Sequence, residues 1–144
     1  MKHRLYFQLQ TARLSVARAA ERACRRALGI TVVQLGALWV IKGAPDASQR
    51  LVAEKLNLNE PAVTGLIGRL TSQGLVLRTR SEADRRRYCL RLSAEGQRLT
   101  DAARPLLKQL NETMTEGFTD EELDVVARFL SATTARFTPE HTPE

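Results

Sequence analysis

The segment from residue 51 to residue 76, LVAEKLNLNEPAVTGLIGRLTSQGLV, restricts the fold of this chain more than any other. It predicts two short amphipathic helices separated by a few residues. Their apolar stripes are Val52, Ala53 and Leu56 in the first helix and Val63, Leu66, Ile67 and Leu70 in the second. Asn57 tolerates the left-handed conformation of a tight turn, Asn59 can cap the second helix, and Gly74 ends it. Two helices joined in this way form a helix-turn-helix.

An arginine-rich β-hairpin is predicted directly after these helices. The segments LVLRTR (75–80) and RRYCLRL (86–92) are typical of two strands, and SEAD (81–84) supplies the turn. The expected faces of the second strand are Tyr88, Leu90 and Leu92 on one side and Arg87, Cys89 and Arg91 on the other. Six arginines lie within residues 78–91. Asp84 is expected to hold the guanidinium of a nearby arginine in a fixed orientation.

Helices are also predicted on the N-terminal side of this module. An amphipathic helix over residues 4–28 ends at Gly29. The next helix begins after Thr31, is apolar on nearly all sides and is therefore expected to be buried. Either Ser48 or Asp46 can cap the helix that follows it.

Two more helices are predicted on the C-terminal side. Ser93 caps a long helix that Pro105 should kink, because proline removes a backbone hydrogen bond. A last helix begins after Thr119 with a capping-box spacing. The tail, residues 138–144, is expected to be frayed.

The distribution of charge suits a polyanionic partner. The 144 residues carry a net charge of +6, and 18 of the 22 basic residues are arginine. Residues 1–50 carry nine basic and two acidic side chains, residues 51–92 eight and four, and residues 93–144 five and ten. A basic region with an acidic remote end suits an oriented nucleic acid, although a solvated surface that keeps the protein soluble has the same signature.

Other classes of protein fit the sequence less well. It contains no run of 18 apolar residues and no apolar signal-peptide core near Met1. Its only cysteines, Cys24 and Cys89, suit a reducing cytoplasm, and neither lies in a pattern that marks a low-pKa thiolate. No metal-ligand cluster, phosphate-binding glycine loop or catalytic triad is recognisable. We therefore expect a cytoplasmic protein that is not an enzyme and holds no metal or cofactor.

The helix-turn-helix and the hairpin together suit a DNA duplex. Small and polar residues lie off the apolar stripe of the second helix: Asn59, Glu60, Thr64, Gly65, Gly68 and Arg69. An α-helix fits the major groove, where Arg, Asn and Thr side chains read base edges, and arginines suit a narrow minor groove. The alternatives are a solvated helical hairpin and a module that binds another protein, although an arginine-rich surface argues against the latter.

The order of helices, residues 51–76 and the segment SEADRRRYCLRLSAEG (81–96) resemble the MarR family of winged-helix transcription regulators. The resemblance extends from Leu5 to about Phe137, and its most specific part is Asp84-Arg85-Arg86 followed by a strand and LSAEG. It implies a mainly α fold with a small β-hairpin wing, formed as a single domain of residues 1–144. Residues 31–92 would be the winged helix-turn-helix, and residues 1–30 and 93–137 would be dimerisation helices.

The resemblance also implies roles for individual residues. Glu60 to Ser72 would be the recognition helix. Arg86 would insert into the minor groove, with Arg85 and Arg87 as neighbours and Asp84 as the orienting acid. The complete set expected at the DNA is Asn59, Glu60, Thr64, Gly65, Arg69, Arg78, Arg80, Asp84, Arg85, Arg86 and Arg87.

The first and last helices carry apolar stripes that have no partner inside one compact winged helix. We expect a twofold homodimer, although packing within one chain is the alternative. The residues expected in the dimer interface are Leu5, Leu9, Leu123, Leu130 and Phe137. Two recognition helices about 34 Å apart would then read a pseudo-palindrome in double-stranded DNA.

The resemblance finally implies a repressor that responds to a small phenolic or other aromatic effector. Arg13, Gln34, Trp39 and Arg86 are the candidate lining of its site, since a cation and an aromatic wall suit such a ligand. A core position for Trp39 and a surface position for Arg13 are the alternatives. Redox control is another mode in the family, but Cys24 lies late in its helix, unlike the reactive cysteines near the N-terminus of peroxide-sensing members.

Overall fold

A computed structural model describes residues 4–138 of the chain. These residues form α1 (Leu5–Leu28), α2 (Val32–Gly43), α3 (Gln49–Leu56), α4 (Glu60–Ser72), β1 (Val76–Arg80), β2 (Tyr88–Leu92), α5 (Ala94–Thr115) and α6 (Asp120–Phe137). The chain divides into two compact units, residues 1–107 and 108–144. Apart from Thr138, the tail predicted to be frayed lies outside the described residues.

Side-chain caps begin the helices where local spacing predicts them. A capping box at Thr31 begins α2, and another at Thr119 begins α6. Ser48, rather than Asp46, caps α3, and Asn59 caps α4. These hydrogen bonds satisfy backbone amides that have no partner inside the helix.

The turn of the helix-turn-helix adopts the conformation that its sequence predicts. Asn57 has a φ of 53°, and its amide donates to carbonyl oxygens at the end of α3. α4 begins three residues later and ends at Ser72. Gly74, with a φ of 69°, then directs the chain into β1.

The core of residues 1–107 is built around α2, which contacts α1, α3 and β2. The buried α2 residues are Gln34, Leu35, Ala37, Leu38 and Ile41. The prediction of a buried helix is therefore confirmed, except that Val32 and Val33 at its start are exposed. The buried stripe of α4, Val63, Leu66, Ile67 and Leu70, completes the core beneath the helix-turn-helix.

β1 and β2 form an antiparallel hairpin in which Arg80 lies opposite Tyr88 and Val76 opposite Leu92. The predicted four-residue turn is wrong, because β2 begins at Tyr88 and the loop spans seven residues, 81–87. The amide of Ser81 and the carbonyl of Arg87 close this loop at 2.8 Å.

Cys89 is buried, unlike Arg87 and Arg91, which share its predicted face of β2. Cys89 is only 2% exposed, and its Sγ lies 3.3 Å from the Oγ1 of Thr79 on β1. Ala47 forms an isolated bridge with Leu90, so the chain before α3 runs along the outer edge of β2.

Ser93 joins the end of the helix-turn-helix to the start of α5. Its Oγ donates to the carbonyl of Gly74 at 2.6 Å and accepts from the amide of Gly96 at 3.0 Å, which confirms the predicted cap. Gly96 lies so close to the carbonyl oxygen of Leu75 that a Cβ would collide with it. α5 continues through Pro105 to Thr115, and the expected kink stays a prediction.

The unit of residues 108–144 contains the end of α5 and the whole of α6. A turn at Gly117, with a φ of 86°, connects the two helices. None of the residues described in α6 is buried. Its exposed large apolar side chains are Val125, Val126, Phe129, Leu130 and Phe137.

Neither a single membrane-spanning helix nor a metal-binding cluster is present within residues 4–138. None of the helices in this range is both long and apolar enough to cross a membrane alone, and only α1 and α2 pass that test as a pair, bent by 74°. No group of three or more His, Cys, Asp or Glu residues is arranged to hold a metal ion within the same range.

Candidate nucleic-acid interface

α4 presents a polar face to solvent because its apolar stripe is held in the core. Asn59, Glu60, Thr64 and Arg69 are exposed, and Gly65 is half-buried. Arg69 lies back along the helix, so that a Cβ at Gly65 would be 3.5 Å from its Nη1. Four of the five residues predicted for the recognition helix are therefore accessible to a partner.

Gln49, which was not predicted from the sequence, also contributes to this surface. Its Nε2 donates to the Oγ1 of Thr64 at 2.8 Å, which ties the first residue of α3 to the second turn of α4. The two residues are fifteen positions apart, so no local spacing indicated the contact. A cleft of 340 Å³ beside them is lined by Gln49, Arg50, Ala53, Glu60 and Val63.

The tip of the wing carries Arg85, Arg86 and Arg87, and all three are exposed. Asp84 does not hold a guanidinium as predicted. Its Oδ1 accepts the backbone amide of Arg86 at 3.0 Å, and its carbonyl accepts the amide of Arg87 at 2.9 Å. An aspartate whose side chain accepts the amide two residues later forms a local turn. Asp84 therefore fixes the backbone conformation of the tip and does not orient an arginine side chain.

Ser81 anchors the loop to the rest of residues 1–107. Ser81 is buried, and its Oγ donates to the Oδ1 of Asp46 at 3.1 Å. The Ser81 Oγ also accepts a hydrogen bond from the amide of Asp84 at 3.3 Å. Asp46 lies between α2 and α3, which links the wing to the start of the helix-turn-helix. This anchor joins residues 35 positions apart and was not predicted.

The remaining arginines of the wing differ in their surroundings. Arg78 is exposed on β1 and lies opposite Leu90. Arg91 is half-buried, with its Nη2 3.7 Å from a carboxylate oxygen of the exposed Glu82. Arg80 stacks on Tyr88 within the wing, with its guanidinium carbon 4.4 Å from the centre of the ring.

The four residues predicted around an effector have different environments. Gln34 is buried and already engaged, because it completes the capping box and donates to the Oε1 of Gln73 at 3.0 Å. Trp39 is half-buried against the core, whereas Arg13 and Arg86 are exposed. The 340 Å³ cleft and two smaller clefts of 250 and 140 Å³ are lined by other residues.

The five residues predicted at a dimer interface are accessible in the single chain. Leu5 on α1 is 49% exposed, and Leu9 is half-buried. In the other unit, Leu123 is half-buried, Leu130 is 43% exposed and Phe137 is 83% exposed. Large apolar side chains at these exposures are available for a partner surface.

The environment of Cys24 does not favour thiol chemistry. Burial raises the pKa of the Cys24 thiol, and the nearby carboxylate of Glu21 raises it further. A raised pKa lowers the fraction of reactive thiolate. Cys89 is likewise a free, buried cysteine.

Comparisons with known proteins agree with this geometry. A sequence model of the MarR family matches residues 28–87, which include the helix-turn-helix and most of the wing loop. A putative transcriptional regulatory protein for the hcr operon of Thauera aromatica is 30% identical over 96 residues. The match covers 67% of this chain and 58% of that protein, so the chain spans less than two thirds of its length. The sequence of this chain is therefore similar to that of the MarR family over residues 28–87.

Solved structures of MarR-like regulators share the fold. CouR from Rhodococcus jostii RHA1, bound to p-coumaroyl-CoA, is 26% identical with a TM-score of 0.80, over 97% of this chain and 96% of that chain. Streptococcus pneumoniae FabT in complex with DNA is 25% identical with a TM-score of 0.81, over 92% and 94%. The predicted winged helix-turn-helix fold, mainly α with a small β-hairpin, is confirmed. These MarR-family relatives are transcriptional regulators and not enzymes.

Proposed function

We propose that this protein is a homodimeric repressor of the MarR family that binds pseudo-palindromic operators in double-stranded DNA and acts in the cytoplasm. The observation that carries the proposal is the pairing, in residues 1–107, of an exposed polar helix face with an exposed arginine loop. A helix face of this kind fits the major groove, and arginines suit the enhanced negative potential of a narrow minor groove.

α4 supplies the base-reading surface in this proposal. Thr64 and Arg69 are exposed in the second and third turns, and Asn59 and Glu60 are exposed at its start. Gln49 occupies one acceptor position of the Thr64 hydroxyl, which leaves its hydrogen free to donate to a base or phosphate.

The wing supplies the second contact. Arg85, Arg86 and Arg87 project from a loop that Asp84 and Ser81 hold, and Arg86 is the proposed minor-groove residue. Arg78 on β1 is a further candidate for the phosphate backbone because it is exposed. FabT, of similar fold, has been solved in complex with DNA.

Dimerisation through residues 1–30 and 93–137 is the second part of the proposal. Apolar side chains of α1 and α6, among them Leu5, Leu130 and Phe137, are exposed. Their exposure supports association with a second copy of this chain. Two copies would present two α4 helices to successive major grooves.

A small aromatic effector is the third part, with Arg13, Gln34, Trp39 and Arg86 as its proposed lining. CouR has been solved with p-coumaroyl-CoA, which contains a phenolic group. A thermal shift series with aromatic acids tests this part. We expect at least one acid to raise the melting temperature and weaken DNA binding, and the absence of any shift would count against an effector of this class.

DNA binding is tested with operators selected from a random duplex library by the purified protein. Fluorescence anisotropy at several salt concentrations then compares a selected duplex with a scrambled one. We expect at least about 10³-fold preference for the selected duplex and a steep salt dependence. Equal, weak binding to both duplexes would contradict a sequence-specific regulator.

Arg86→Ala tests the role of the wing in the same assay. We expect about tenfold weaker binding for each lost contact and a salt slope reduced by about 1 per protomer, because both protomers of the proposed homodimer lose one arginine contact to the duplex. Arg104→Ala is the matched control, since Arg104 is an exposed arginine of α5 and makes only a 3.8 Å ion pair with Asp101. Wild-type affinity in Arg86→Ala would contradict the proposed minor-groove contact.

A further inference from the structure

Arg80 and Tyr88 lie opposite each other at the outer end of the hairpin, where β1 ends and β2 begins. The guanidinium carbon of Arg80 is 4.4 Å from the centre of the Tyr88 ring, a cation–π distance. The Nη1 of the same guanidinium donates to the carbonyl oxygen of Arg85 at 3.0 Å. One side chain therefore connects both strands to the tip of the wing.

We propose that this pair, the Arg80–Tyr88 clamp, holds the wing tip in its DNA-binding conformation, and that Arg80 is a positioning residue and not a phosphate contact. The inference rests on the proposed DNA-binding function. It assigns to Arg80 a role different from the DNA contact predicted from the sequence, and it gives the exposed Tyr88 a function.

The clamp binds a backbone group of the loop, the carbonyl of Arg85, that the bonds from Ser81 and Asp84 do not reach. Ser81 is joined to Arg87, and Asp84 is joined to the amides of Arg86 and Arg87. The carbonyl of Arg85 receives its hydrogen bond from Arg80. Without this bond the arginine tip would sample more conformations, and ordering them on the duplex would cost binding free energy.

The chemistry of the clamp requires arginine. A guanidinium is planar, so it stacks on an aromatic ring with its face while its edge donates to a carbonyl. A lysine ammonium is a compact point charge that does not reproduce both contacts. Tyr88 is 56% exposed, so the pair is accessible to solvent and its loss should leave the core of residues 1–107 unchanged.

Salt dependence distinguishes a clamp from a phosphate contact. Each phosphate contact contributes about 0.9 to the slope of log K against log salt, whereas a positioning residue contributes nothing directly. Tyr88→Leu removes the stacking surface and keeps every charge. We expect about three- to tenfold weaker binding to the selected operator at every salt concentration, with an unchanged slope.

Two conservative variants sharpen the comparison. Tyr88→Phe keeps the ring and should bind as the wild type does. Arg80→Lys keeps the charge but loses the planar guanidinium that stacks on Tyr88 and donates to Arg85. We therefore expect it to weaken DNA binding as much as Tyr88→Leu does. Wild-type affinity in both Arg80→Lys and Tyr88→Leu would overturn the clamp, and so would a reduced salt slope in Tyr88→Leu.

Limited trypsin digestion without DNA provides an independent readout. Trypsin cleaves after arginine, and Tyr88→Leu leaves Arg85, Arg86 and Arg87 in place. We expect cleavage at these bonds, identified by mass spectrometry, to be severalfold faster in Tyr88→Leu than in the wild type and Tyr88→Phe. Equal rates in all three proteins would overturn the clamp. A wild-type protein that binds no duplex would instead overturn the proposed function, while the digestion still decides the clamp.

Discussion

Gly96, in the first turn of α5, has no room for a side chain. A Cβ there would collide with the carbonyl oxygen of Leu75, which also accepts the amide of Ser93 at 3.0 Å. We expect Gly96→Ala to lower the free energy of unfolding by about 1–3 kcal/mol, because the end of the helix-turn-helix must move away from α5. Urea denaturation measures the change.

Gly68 provides the matched control for this substitution. A Cβ at Gly68 would meet nothing within 4 Å, and the residue lies on the exposed face of α4. Gly68→Ala should therefore raise the free energy of unfolding by up to about 1 kcal/mol through helix propensity. Equal stability of the two alanine variants would contradict the steric argument for Gly96.

Glu21 on α1 stabilises the start of α2 through its charge. The backbone amide of Val32 donates to its carboxylate at 3.0 Å, and this bond, with a smaller contribution from Arg25, lowers the pKa of Glu21. A lowered folded-state pKa adds stability above the unfolded value of about 4.3, and this stability is lost as the pH falls through the folded value.

Glu21→Gln tests this pH dependence because glutamine mimics the protonated acid. We expect the variant to be less stable than the wild type at pH 6–7, by no more than about 1 kcal/mol because the carboxylate is partly exposed. The difference should shrink below about pH 4.3. Urea titrations across pH measure it, with Glu54→Gln as a control on an exposed ion pair. A difference that does not change with pH would contradict this role.

At the scale of elements, the turn between α3 and α4 depends on one backbone conformation. Asn57 has a φ of 53°, a region that asparagine and glycine tolerate better than other residues. We expect Asn57→Ala to lower the free energy of unfolding by about 1 kcal/mol, whereas Asn57→Gly should be neutral or stabilising. Thermal unfolding distinguishes the two, and an alanine variant as stable as the glycine variant would refute the explanation.

At the scale of the whole molecule, the proposed dimer depends on the apolar face of α6. Leu130→Glu places a charge on that face, so we expect a monomeric mass by light scattering at micromolar concentration and weaker binding to a palindromic operator. Ser131→Glu adds the same charge on the polar side of the helix and should remain dimeric. A monomeric wild type, or a dimeric Leu130→Glu, would contradict the interface.

Most helices and the resemblance to the MarR family could be predicted because their signals are local. The caps at Thr31, Asn59 and Thr119 act over three residues, and the left-handed Asn57 is a property of one residue. The resemblance was recognisable from residues 51–96 because their pattern combines a turn, an apolar stripe and the wing tip. The arginines at the tip could be predicted to be exposed because charged side chains are rarely buried.

Only the tertiary structure decided how these elements are joined. The contacts Glu21–Val32, Gln49–Thr64, Asp46–Ser81 and Gln34–Gln73 join residues 11 to 39 positions apart, and no spacing rule reaches that far. The Asp84 carboxylate, in contrast, accepts the backbone amide of Arg86 only two residues away, so its partner is local. Cys89 is buried within the hairpin, where its Sγ lies 3.3 Å from the Oγ1 of Thr79 on the other strand. Local hydrogen bonds and steric preferences determine the helices and turns, whereas packing between distant segments selects the partners of the polar side chains that connect these elements.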